Sequence, residues 1–143
     1  MITKSIFRFT NNNPRGVLTD DCIIRSLSMF LNQDYSTTLN ALMNIYKQTG
    51  YHIGDPVCFK LYLSQFTDII SYSLDNKALT LNQMINDLQT SNYTKLTGLT
   101  IKNCDKLLVL LYGNHLTYLE NHVIMDIWNC GSLQVKEFFF YER

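Results

Sequence analysis

From Leu107 to Tyr141 four short apolar runs follow one another with little between them: Leu107 to Tyr112, His115 to Leu119, Val123 to Trp128 and Gln134 to Tyr141. Runs of this length, rich in Leu, Val, Ile, Phe and Tyr and bounded by turn residues, read as strands. Connections as short as Gly113-Asn114 and Glu120-Asn121 join antiparallel neighbours, because a parallel pair needs a crossover of about a dozen residues. The C-terminal third is therefore expected to be an antiparallel meander.

The N-terminal two thirds follow a helical period. After the irregular Asn11 to Gly16 loop, Thr19-Asp20-Asp21 supplies N-caps, and Ile23, Leu27, Phe30 and Leu31 fall on one helical face from about Asp20 to Leu31. Asp34 caps a second helix, with Tyr35, Leu39, Leu42, Met43 and Tyr46 as its stripe and Gly50 as its stop. Asp55-Pro56 starts a third, short helix to about Gln65. Asp68 to Leu74 reads as a strand, Thr80-Leu-Asn-Gln83 as the capping box of a fourth helix reaching about Gln89, and Asn92 to Lys106 as loop. Helices first and a meander last predict a single α+β domain over residues 1–143, with the N-terminal helices packed on a C-terminal antiparallel sheet.

Composition excludes several classes. The apolar share of 46% is enough to bury a core. Twelve basic and twelve acidic residues cancel, which argues against a protein that grips nucleic acid by neutralising phosphates. No segment approaches the ~20 apolar residues of a membrane span, and Met1 to Arg8 lacks the apolar region and cleavage site of a signal peptide. A cytoplasmic location is expected. There the four cysteines, Cys22, Cys58, Cys104 and Cys130, without CxxC spacing, are expected as free thiols. Neither a Gly-rich phosphate loop nor an HExxH or finger-type ligand pattern occurs, so neither cofactor nor metal is expected.

One constellation could carry chemistry. Cys22 falls in the first turn of the first helix, where unpaired N–H groups and the helix dipole favour a thiolate, while Asp20 and Asp21 oppose one. Packing as a small core residue is the plainer role for it. A thiol nucleophile needs a base, and the base an orienting group. Of His52, His115 and His122, the first sits in a loop and the last at a turn. A hairpin turn at Glu120-Asn121 would set His115 directly opposite Asp126; a turn at Asn121-His122 would break that pairing. On a solvated strand pair, Asp126 is expected to contribute little to folding. Phe138 to Tyr141 reads as core, or as a partner surface wherever it is exposed.

Asn13-Pro14-Arg15-Gly16 followed by Asp21-Cys22-Ile23-Ile24-Arg25-Ser26-Leu27 resembles the opening of small phage and bacterial proteins of the papain-like cysteine peptidase superfamily, distantly similar to double-glycine bacteriocin-processing peptidases. Leu79 to Met84 resembles that family's helix start. Leu108 to Trp128 resembles its hairpin, with His115, Asp126 and Trp128 on the motif positions and Asn114 where the family usually has Gly. The resemblance spans about residues 9–141. It implies a papain-like fold, a Cys22 nucleophile, a His115 base, an Asp126 orienter, and an oxyanion held by the Cys22 N–H and by Asn12 or Asn13. It further implies a thiol hydrolase of a peptide or isopeptide-like amide, working in a host cytoplasm. The alternative is an inactive phage protein on the same fold, a virion component or a binder of a host protein.

Overall fold

The apolar run Lys106–Leu111 (β3) has the pattern of a strand covered on both faces, and it becomes a central strand of the sheet. The computed structural model describes residues 7–18, 20–74, 79–90 and 105–141. Among these, β1 (Phe7–Phe9), β2 (Ile69–Ser73), β3, β4 (His115–Glu120), β5 (Val123–Asp126) and β6 (Val135–Tyr141) form one six-stranded sheet in the order β1-β5-β4-β3-β6-β2. Four helices accompany it: α1 (Cys22–Leu31), α2 (Tyr35–Thr49), α3 (Pro56–Leu63) and α4 (Leu81–Thr90). The fold is α+β, as the sequence predicts. The loop assigned to residues 92–106 lies outside the described residues up to residue 104, and Cys104 with it.

Two expectations are corrected. The sheet is mixed, because β1 joins its edge parallel to β5, with Phe9 beside Asp126. The helices also do not all lie on one side. Leu107, Val109 and Leu111 pack with Leu81, Met84, Ile85 and Leu88 of α4. Leu108 and Leu110 pack with Leu27 and Phe30 of α1, Leu42 of α2 and Phe59 of α3. Alternation along β3 thus fills both layers, which is why five successive apolar residues were needed there.

Local signals set the helix ends. The Asp55 carboxylate accepts from the Val57 N–H at 2.9 Å, and Pro56 opens α3. Thr80 and Gln83 exchange both bonds of the capping box ahead of α4, at 2.9 and 3.2 Å. Gly50 closes α2 with φ +81°. Asp55→Ala should lower stability by about 1 kcal/mol in urea unfolding and leave Cys22 reactivity unchanged.

The hairpin register decides the site. Leu119 pairs with Ile124 and Glu120 with Val123, so the turn is Asn121-His122, both left-handed at φ 51° and 67°. The direct His115–Asp126 opposition expected from a Glu120-Asn121 turn is therefore absent. Continuing the register sets Thr117 opposite Asp126, with His115 diagonal to it. The two turns differ by two positions in pairing, and a shift of two keeps every side chain on its face. His115 and Asp126 still meet.

Candidate active site

Asp126, fully buried at the end of β5, collects five polar partners, four of them nitrogen or oxygen groups. Its Oδ2 is 2.7 Å from His115 Nε2 and accepts from Thr117 Oγ1 at 2.7 Å. Its Oδ1 accepts from the Ile127 N–H at 2.7 Å and from an Arg25 guanidinium nitrogen at 3.1 Å. Strand β5 ends here, short of the Trp128 expected from the sequence, as the carboxylate folds back onto its neighbour's N–H. The expectation of a solvated Asp126 is wrong.

Arg25, 1% exposed, reaches Asp126 with one nitrogen while its Nε donates to Asp21 Oδ1 at 2.6 Å. Asp21 Oδ2 in turn accepts from Tyr35 Oη at 2.7 Å and Asn13 Nδ2 at 2.9 Å. Burial alone would lift the Asp21 carboxyl, but Arg25, Tyr35 and Asn13 hold it below its usual range. Burial likewise opposes ionisation of Asp126, and His115 and Thr117 overcome it, again lowering the pKa. The guanidinium between two carboxylates stays charged, its own pKa raised against burial by both.

His115 shows the same balance. Burial disfavours the imidazolium, yet the Asp126 bond, aided by the Cys130 and Cys22 thiols, raises its pKa from 6.5 to about 11. With Nε2 taken by Asp126, Nδ1 is the ring nitrogen left for a second partner. Trp128 covers the ring, with centroids 4.9 Å apart. The structure joins His115 to Asp126, and the His115 pKa responds to the Cys22 thiol that the sequence set beside them.

Cys22 opens α1 and is 8% exposed. The side chain of Asp21, the residue before it, makes no cap bond because Arg25, Asn13 and Tyr35 engage it. The first-turn N–H groups of α1 thus lack a side-chain cap. Beside them lies a cleft of about 350 Å³ lined by Asp20 to Ile24 and by His52, Ile53 and Gly54. His52, expected to be solvated or packed, lines this cleft, its Nδ1 accepting from the Gly54 N–H at 3.0 Å.

Asn12 and Asn13 do not offer a free donor. Asn12 Nδ2 serves Arg25 O and Ser28 Oγ at 3.2 and 2.7 Å; Asn13 Nδ2 serves Asp21 and Tyr35 Oη. Each amide has two hydrogens, and both are engaged. Each Asn fastens the loop ahead of α1, which leaves the uncapped first-turn N–H groups of α1 as the donors next to Cys22. Sequence reading missed Arg25, Thr117 and Cys130. The Asp21–Arg25 spacing of four on a helix was the available signal for the first; Thr117 and Cys130 gave none.

The site implies a stability profile. The two carboxyls have lowered pKa values, so their contribution is present above the ordinary carboxylate range and lost as pH falls through the folded values. The His115 pKa is raised, so its contribution is full below 6.5 and lost as pH rises toward 11. Urea midpoints should fall between pH 7 and 10, and His115→Gln should flatten that decline. An equally steep decline in the variant would place the effect elsewhere.

Comparison of the chain with family models, with curated proteins and with solved structures gave no match. Among the described residues no helix is long and apolar enough to cross a membrane.

Proposed function

We propose that this chain is a papain-like thiol hydrolase that cleaves a peptide or isopeptide-like amide in the cytoplasm of a host cell. The observation that carries the reading is the 2.7 Å bond from His115 Nε2 to Asp126, on a ring whose pKa the thiol at the start of α1 also helps to raise. His115, whose raised pKa keeps it an imidazolium, already holds on Nδ1 the proton given up by Cys22, and the sulfur attacks the carbonyl carbon. The oxyanion meets the first-turn N–H groups of α1. The imidazolium passes its proton to the leaving amine, and the acyl group stays on sulfur. Water, deprotonated by His115, then releases the acid and restores the thiol. Asp126 takes no proton; it holds the ring and stabilises its charge, and Thr117, Ile127 and Arg25 hold Asp126.

The cleft beside Cys22 has room for one or two side chains, and Ile23, Ile24 and Ile53 suit an apolar one. Pooled peptide and isopeptide substrates, read by mass spectrometry, should be cut by the wild type and left intact by Cys22→Ala. The 8% exposure of Cys22 favours a second reading, an inactive phage protein on this fold that serves as a virion component or binds a host protein. Absence of both cleavage and a covalent Cys22 adduct with a peptidyl vinyl sulfone would select it.

A further inference from the structure

The hydrolase mechanism leaves one buried thiol unused. Cys130 is fully buried, yet it is not simply packed among apolar groups: its Sγ donates to Asp126 Oδ2 at 3.6 Å. Cys130 Sγ, an imidazole nitrogen of His115 and an Asp126 carboxylate oxygen all lie within 4.8 Å of one another. Thiolate, imidazole and carboxylate together are a donor set for a zinc-like divalent cation.

We infer that Cys130, His115 and Asp126 form a binding site for Zn²⁺, and that a metal on Nε2 leaves Nδ1 a fixed N–H that no longer takes up the Cys22 proton. The inhibitory part rests on the hydrolase reading; the site itself does not. A tetrahedral zinc with bonds of ~2.0–2.3 Å sets neighbouring donor atoms ~3.3–3.6 Å apart. The Cys130–Asp126 separation of 3.6 Å already matches. The His115–Asp126 separation must open from 2.7 Å by under ~1 Å, a small tilt of the ring, as the ion replaces the proton shared between Nε2 and Oδ2. The Cys130 thiol also gives its proton to solvent. A fourth position remains for water or for Cys22.

The ligands sit on a fixed frame, as a metal site requires. Cys130 O accepts from the Leu133 N–H at 3.1 Å, and Gly131 O from the Asn82 N–H of α4 at 2.8 Å. Asn129 Oδ1 accepts from the Gly131 N–H at 3.0 Å. A Cβ on Gly131 would meet the Asn82 side chain, so the turn lies hard against α4. Thr117 and the Ile127 N–H orient Asp126 from behind.

Co²⁺ added to the full chain serves as the spectroscopic probe. It should give a near-ultraviolet thiolate-to-cobalt band that is retained in Cys58→Ser and lost in both Cys130→Ser and His115→Gln. Having two variants guards against misfolding of either one, with circular dichroism confirming the fold. Excess Zn²⁺ should slow alkylation of Cys22 at least tenfold in the wild type and not in Cys130→Ser. Absence of the band, or its survival in Cys130→Ser or His115→Gln, would overturn the site. A band that follows the expected pattern while metal-free Cys22 is unreactive would keep the site and discard the hydrolase.

Discussion

Replacing Arg25 with Met is expected to cost about 3–5 kcal/mol of stability, although Met fills much of the same volume. The guanidinium lies between two buried carboxylates, 2.6 Å from Asp21 and 3.1 Å from Asp126. Met leaves both without their cation while Asp126 remains fully buried. The loss comes from the stranded charges rather than from the ion pair's own net worth, which is small for buried pairs. Asp21→Asn combined with Arg25→Met should therefore recover part of the loss. Urea unfolding of the wild type and the two variants reads this out. A loss under 1 kcal/mol for Arg25→Met would mean that the carboxylates find other partners.

The largest effect on turnover is expected from Asp126→Asn. An amide keeps the shape of the carboxylate but offers His115 Nε2 either a donor or a neutral acceptor. The ring loses its fixed tautomer, and in the serine-protease template that change costs on the order of 10⁴ in rate. The His115 pKa should fall back toward 6.5, moving the alkaline limb of the pH–rate profile down with it. Stability falls as well, because Arg25 and His115 both lose their charged partner. Asp126→Ala is harsher still, since it adds a cavity at a fully buried position. Thr117→Val tests the same carboxylate more gently, removing the 2.7 Å bond to Oδ2 at a cost of about 1–2 kcal/mol. If turnover in Asp126→Asn stays within tenfold of wild type, Asp126 is structural alone.

The sequence carried the elements well because their signals are local. Asp55-Pro56, the Thr80–Gln83 box and the Gly50 stop each act within a few residues, and each appears in the structure. Strand β1 was not legible, since Phe7–Phe9 is short and takes its place only by joining β5 across more than a hundred residues. The third layer was illegible for a similar reason. An amphipathic stripe on α4 says that it must bury a face but not which side of the sheet it covers.

The site was half legible. Cys22, His115 and Asp126 could be singled out by residue chemistry and by resemblance to a family. Their support could not. Arg25, Ser26 and Ser28 are polar residues on a helix, a pattern that ordinarily marks a solvated face, yet all three are buried and bonded. Cys130 comes near His115 only through the turn after β5. The register error had a physical source: Asn121 and His122 both adopt left-handed backbone, a conformation that Asn favours and His signals weakly.

The central claim is that Cys22 is an activated thiol served by His115, and competitive alkylation tests it most directly. Limiting iodoacetamide at neutral pH, followed by peptide mass spectrometry, ranks Cys22, Cys58, Cys104 and Cys130 in one tube. Cys22 should label fastest, and its lead should fall at least tenfold in His115→Ala while Cys58, fully buried away from His115, is unchanged. Labelling of Cys22 more slowly than the other thiols, or at the same rate with and without His115, would contradict the account.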